Sequence, residues 1–289
     1  MKCKAIKPYY FLLPALFFIG VFLIYPAVYT FFISFTSWSG INTPRWVGLN
    51  NYKYIFENPA FWVSLKNTII WSVASLVFPV ALGFILSLLL YSVPFESFFK
   101  VFFFLPYALS GVVISIVWWY MYSLDGAINV VLALFLDENK LQPWLQSVPI
   151  NTYAMILAYG WKMTGTNMVL FSVGMQAIPN EPIEAAYLEG ANYWQTLRKV
   201  ILPAMASTTA VVVVMSIINS LNLFDLIWVM TQGGPYQSSA TLGVNMYYDS
   251  FLLFKFGRGA ANATILSLIV FVAAIFYLRI IFKKSEIGD

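Results

Sequence analysis

The chain contains no histidine and a single cysteine, Cys3. Without histidine it lacks the commonest general base and the commonest transition-metal ligand. One thiol cannot close an intramolecular disulfide. Charge is scarce as well. There are 16 Lys and Arg and 12 Asp and Glu in 289 residues, 10% of the chain. An ordinary soluble domain has about 25%. No hydrophilic stretch is long enough for a separate soluble domain, and no G-x-x-x-x-G-K-[ST] phosphate loop is present. These absences argue against an intramembrane enzyme built on histidine or metal chemistry. They also argue against a nucleotide or any cofactor held by this chain.

Apolar sequence takes the place of what is missing. Hydrophobic residues make up 61% of the chain, in runs that recur along its whole length. Each run can cross a hydrocarbon core of roughly 30 Å, so the pattern predicts an all-α integral membrane protein. Six spans are expected, at 9–35, 67–92, 101–122, 152–175, 204–230 and 260–282. The first follows Lys2, Lys4 and Lys7, is too long for a signal-peptide core and has no small-residue cleavage site. It reads as an uncleaved span. Trp118, Trp119 and Tyr122 close the third as an interfacial belt. Domain organisation follows: an N-terminal span and outer loop at 1–66, then a five-helix core at 67–289.

A cytoplasmic N-terminus places Lys2, Lys4, Lys7, Lys100, Arg198, Lys199, Arg279, Lys283 and Lys284 inside. Arg45, Lys53, Lys66, Lys140, Lys255 and Arg258 then fall outside. That bias is modest, but it agrees with both termini being cytoplasmic. Basic residues beside span ends explain the pI near 9.0 without nucleic-acid binding. The outer loops are expected at 36–66, 123–151 and 231–259, rich in Trp, Pro, Gly and Asn and therefore ordered.

Between the fourth and fifth spans lies a polar island, "EAAYLEGANYWQTLRKVILP", from Glu184 to Pro203. Asn180 is a natural helix cap, with Pro182 in the first turn. Gly190 is a natural stop, and Asn192 followed by Gln195 is a capping box for a second short helix. A bulky residue at Gly190 is expected to clash where the two helices meet. The pattern alone fits either a hairpin lying on lipid headgroups or a knob that docks another chain. Acidic residues sit poorly on an anionic leaflet.

The island resembles the EAA loop of ATP-binding-cassette importer permeases, in which Glu-Ala-Ala is followed by Gly-Ala and later by Leu-Pro. Glu184, Ala185, Ala186, Gly190, Ala191, Gln195, Thr196, Ile201, Leu202 and Pro203 fit the pattern. Glu189 stands where Asp is usual, Leu197 where Phe is common, and Ser207 where proline is frequent. "WVGLNNYKYIFENPAFWVSLKNT", "LPYALSGVV" and "FDLIWVMTQGGP" resemble the carbohydrate-uptake branch, in particular the first permease partner of maltose- or glycerol-phosphate-type importers. The resemblance implies a six-helix permease with a cytoplasmic EAA coupling loop at about 180–203. It implies a bacterial or archaeal cytoplasmic membrane and no catalysis on this chain. Expected partners are a second homologous permease, two ATP-binding subunits that carry ATP and Mg, and an extracytoplasmic sugar-binding protein. A self-contained secondary transporter or channel is the competing function, and it would need its own coupling-ion site.

Polar groups inside spans are default functional candidates because burying them is costly. Tyr159, Lys162, Met163 and Thr166 share one helical face of the fourth span, and Asn219, Asn222 and Asp225 follow at intervals of three in the fifth. The resemblance places a transmembrane sugar site between these helices. Amides, carboxylates and aromatic faces suit sugar hydroxyls and rings. Interhelical hydrogen bonding by the asparagines, a structural Asp225, a Lys162–Asp225 pair and an anionic substrate facing Lys162 all remain open.

Overall fold

The computed structural model describes residues 12–91, 93–135, 141–221 and 223–285. These are mostly helical. In chain order they form α1 (Leu13–Ile33, with a π-turn at Gly20–Ile24), β1 (Thr36–Ser37), β2 (Arg45–Trp46), α2 (Asn50–Glu57) and α3 (Pro59–Leu90). Next come α4 (Glu96–Ala108), α5 (Gly111–Met121), α6 (Ala127–Ala133), α7 (Ile150–Gln176), α8 (Asn180–Leu188) and α9 (Tyr193–Ala204). The chain continues through α10 (Ala206–Leu221), α11 (Phe224–Thr231), α12 (Leu242–Tyr247) and α13 (Phe256–Ser285). Internal contacts divide it into two compact units. One is the chain up to Trp62 with Asn245–Ile269, and the other is Val63–Val244 with the chain from Val270.

Among the described residues, three single helices are long and apolar enough to cross a membrane: α1, α3 and α13 as far as Ile275. Two bent pairs pass the same test, α4 with α5 and α9 with α10. The fourth predicted span is α7, whose 27 residues measure about 40 Å at 1.5 Å per residue. It carries Asn151, Thr152, Thr164 and Asn167, all buried, and most of its length faces protein. A helix surrounded by other helices needs no uniformly apolar surface, which is why hydropathy is weaker here.

Three expectations change. The predicted continuous span at 101–122 is two helices bent by 96°. Leu109 and Ser110 are both extended, and the Ser110 hydroxyl accepts a hydrogen bond from Val113 N at 3.2 Å, capping α5. The predicted span at 204–230 is also divided, with α11 starting afresh after Leu223. The second span begins earlier than expected. Asn58 caps it by accepting from Ala60 N at 3.0 Å, and Pro59 suits a first helical position, so α3 takes up part of the predicted outer loop. That loop also folds into the β1–β2 pair, with Thr36 opposite Trp46 and Ser37 opposite Arg45, and into α2.

Within the larger unit, Trp71, Ile114, Met155 and Ile227 lie at the centre of one apolar cluster, and Phe171, Met205 and Val212 in a second. Helix approach depends on small residues. A Cβ on Gly165 of α7 would sit 1.9 Å from the Phe103 carbonyl oxygen of α4. Buried amides tie loops to the spans. Asn67 Nδ2 donates to the carbonyls of Ser238 and Ala240 at 2.7 and 2.9 Å. Asn151 Nδ2 donates to the Gly234 carbonyl at 3.1 Å. Asn129 accepts from Trp144 Nε1 at 3.0 Å and donates to the Gln142 carbonyl at 3.0 Å.

Candidate functional site

A cavity of about 360 Å³ in the larger unit lies where α4 gives way to α5 and where α11 starts after α10. Tyr107 from the end of α4 and Gly111 from the start of α5 form one wall. Tyr159, Lys162 and Met163 come from one face of α7, at the spacing expected of adjacent turns. Asn219 on α10, then Leu223, Asp225 and Leu226 around the start of α11, complete it. Five of the sequence-predicted residues therefore meet: Tyr159, Lys162, Met163, Asn219 and Asp225. Thr166 does not line the cavity, and its hydroxyl has no hydrogen-bond partner among the described residues. Asn222 lies outside the described residues.

Tyr159 is buried and packs edge-on against Trp71, with ring centroids 6.0 Å apart. Asp225 sits in the first turn of α11, where backbone N–H groups favour an acidic side chain. Gly111 packs closely beside it. A Cβ there would lie 3.2 Å from Asp225 Oδ2 and 3.4 Å from its Cβ. Lys162 and Asp225 line the same cavity, yet no ion pair joins them among the described residues. The cavity thus offers one ammonium, one carboxylate, one amide and two phenols. Tyr107 and Gly111 escaped residue-level reasoning, although both lie in the "LPYALSGVV" stretch. Read as a straight span, that stretch gives no reason to bring them to α7.

The polar island forms a second candidate site. The end of α8 is closed by Gly190 N to the Tyr187 carbonyl at 3.0 Å and by Ala191 N to the Ala186 carbonyl at 2.9 Å. This is the Schellman pattern, with Gly190 at φ +84° in the left-handed region. The capping box forms as the sequence reading expects: Asn192 Oδ1 accepts from Gln195 N at 2.9 Å, and Gln195 Oε1 accepts from Asn192 N at 2.8 Å. Two details differ. Asn180 is the first residue of α8 and its side chain caps nothing. A Cβ at Gly190 meets no atom within 4 Å, so the constraint there is backbone conformation and not a clash between helices.

Leu197 and Ile201 are buried with Phe171, Met175 and Met205, anchoring the island to the second apolar cluster. Its outer surface is open. Glu184, Ala185, Glu189, Gln195, Leu202 and Pro203 are exposed, Ala186 and Ala191 half-buried, and the large apolar Leu188 and Trp194 are 90% and 68% exposed. Large apolar side chains left exposed among charged and polar ones are features of a surface suited to another protein.

Comparison with known proteins adds the following. The family model described as "Binding-protein-dependent transport system inner membrane component" matches residues 80–285. A probable ABC transporter permease protein of Pyrococcus horikoshii is 38% identical over 280 residues, 96% of each chain. The multiple sugar-binding transport system permease protein MsmF of Streptococcus mutans is 30% identical over 271 residues, 92% of each chain. In structure, a chain of a bacterial ABC transporter that imports the acidic polysaccharide alginate superposes with a TM-score of 0.82. That likeness covers 95% of this chain and 94% of the other at 20% identity, and so speaks to the fold.

Proposed function

The chain belongs to the family of binding-protein-dependent transport system inner membrane components, and from that premise we propose how its two sites divide the work of import. It is a membrane-embedded permease subunit, and membership of this family replaces the competing reading of a self-contained secondary transporter or channel. The proposed cargo is a sugar, from mono- to oligosaccharide, or a related polyol phosphate. The observation that carries this reading is the cavity where Tyr107, Tyr159, Lys162, Asn219 and Asp225 meet. Hydroxyls can replace water on the amide, ammonium and carboxylate without net loss of hydrogen bonds, while the phenol rings offer faces to the pyranose. A second, homologous permease would supply the rest of the pathway, and an extracytoplasmic sugar-binding protein the cargo.

The six-span reading takes α7 as a span beside the five apolar ones, with both termini cytoplasmic, a membrane-anchoring part at 1–66 and a permease core at 67–289. The knob from Asn180 to Pro203 is the proposed EAA coupling loop. Its Glu184, Glu189, Leu188 and Trp194 surface would sit in a cleft of one of two ATP-binding subunits, which hold ATP and Mg. Its buried Leu197 and Ile201 would carry the movement to α7 and α10.

Uptake by the reconstituted complex tests the cavity. Tyr159→Ala and Asn219→Ala should each slow transport at limiting sugar by about fivefold or more, the loss expected from one substrate contact of about 1 kcal/mol. Basal ATP hydrolysis and assembly should stay near normal. Wild-type uptake in both variants would remove this cavity from the pathway.

A further inference from the structure

A second cavity, of about 320 Å³, lies in the smaller unit, and the transport reading makes no use of it. It forms where α1 has ended at Ile33 and where α13 begins at Phe256. Both helices are apolar spans, so the cavity stands at the level where the hydrocarbon gives way to headgroups. Trp46 and Phe254 nearby are 65% and 61% exposed, as interfacial aromatics are.

Lys255 and Arg258 line this cavity, with the hydroxyls of Ser37 and Ser39 and the Asn50 amide. The ion pairs among the described residues join Lys53 to Glu57 and Lys100 to Glu96, so neither cavity cation has a carboxylate at bonding distance. The Arg258 guanidinium lies over the Tyr54 ring, 3.5 Å from its centroid. Stacking by the face fixes the plate and leaves its N–H edge to meet an oxyanion. Asp249 is near enough to interact with both cations and accepts from Asn262 Nδ2 at 2.9 Å. Burial outweighs these contacts and holds its carboxyl above the ordinary range. Two cations against one acid leave the site net positive.

We propose that this cavity binds the phosphodiester headgroup of an anionic glycerophospholipid, with phosphate on Lys255 and Arg258 and headgroup hydroxyls on the serines and Asn50. An ordinary belt of interfacial basic residues has no enclosed volume and no stacked guanidinium. Inorganic phosphate shares the chemistry of the headgroup. The level of the cavity at the span ends favours lipid over both free phosphate and an acidic soluble partner.

The test uses the assembled importer in vesicles of equal phosphatidylglycerol and phosphatidylcholine, with a trace of phosphatidylglycerol carrying a headgroup diazirine. Light should attach the probe to peptides containing residues 36–50 and 254–258. Unlabelled phosphatidylglycerol should suppress attachment far better than phosphatidylcholine. Lys255 is exposed, and Lys255→Gln should lower labelling about fivefold, the effect of one basic charge near a membrane surface. Lys255→Gln with Arg258→Gln should abolish it. Lys53→Gln, off the cavity, should change nothing. Equal competition by phosphatidylcholine, or unchanged labelling of Lys255→Gln, overturns the proposal. Displacement by excess inorganic phosphate as effective as by phosphatidylglycerol assigns a free-anion site and overturns the lipid. Absent labelling with carbodiimide coupling of Lys255 to the soluble binding protein assigns a protein contact and also overturns it.

Discussion

Replacing Gly190 separates backbone strain from steric contact. At φ +84° a residue with a Cβ costs about 1–2 kcal/mol in the left-handed region. The site is otherwise open, because nothing lies within 4 Å of the Cβ position. The cost therefore falls on the turn between α8 and α9. About 1 kcal/mol is roughly a fivefold loss in the population of the closed turn. Asparagine tolerates this conformation better than alanine despite its larger side chain. β-Branched valine tolerates it least. In the reconstituted complex, the ratio of binding-protein-stimulated to basal ATP hydrolysis should fall in the order wild type, Gly190→Asn, Gly190→Ala, Gly190→Val. Basal hydrolysis should hold. If the damage instead follows side-chain volume, with Gly190→Asn worse than Gly190→Ala, a contact governs the site and the strain argument fails. A Gly190→Val variant indistinguishable from wild type would show that the closed turn is not needed for coupling.

Gly165→Ala should lower the temperature of heat-induced unfolding of the complex, because its Cβ must displace α4 at the Phe103 carbonyl, and overpacking of this kind costs about 1–3 kcal/mol. Gly20→Ala, with nothing within 4 Å, is the matched control, and equal midpoints for the two would refute the packing argument. For orientation, cysteines at Gly40, Gln142 and Gln237, in a chain with Cys3 replaced, should react with an impermeant reagent from outside intact cells. A cysteine at Asn192 should not, and outside labelling there would reverse the proposed topology.

The apolar runs were legible because the bilayer imposes one requirement along the whole length of a span: internal hydrogen bonding under an apolar surface. Elements that answer to local neighbours were harder to read. Asn58 and Pro59 carry a plain helix-start signal, but the apolar run that marks a span sets in further along, so hydropathy alone places the start of α3 too late. The capping box at Asn192 and Gln195 was legible because both of its hydrogen bonds lie within four residues. At Gly190 the residue type announced the positive φ, while the space around it depended on where α8 and α9 lie in three dimensions.

The cavity divides along the same line. Tyr159, Lys162 and Met163 could be grouped from sequence because a single helix fixes their spacing. Thr166 obeys the same periodicity yet falls outside the cavity, since periodicity assigns a face but not the depth at which neighbouring helices stop covering it. Tyr107 and Gly111 reach α7 only through the 96° bend at Leu109 and Ser110. The new start at Phe224 brings Asp225 to the same wall. A lysine inside a span is costly unless it finds water or an opposite charge. Straight third and fifth spans give no reason for Lys162 to find either. The two breaks supply both a cavity and a carboxylate across it, so the lysine and the bends are parts of one arrangement. A Cβ at Gly111 would lie 3.2 Å from Asp225 Oδ2, so the carboxylate would have to shift by a few tenths of an ångström to keep its place in that arrangement.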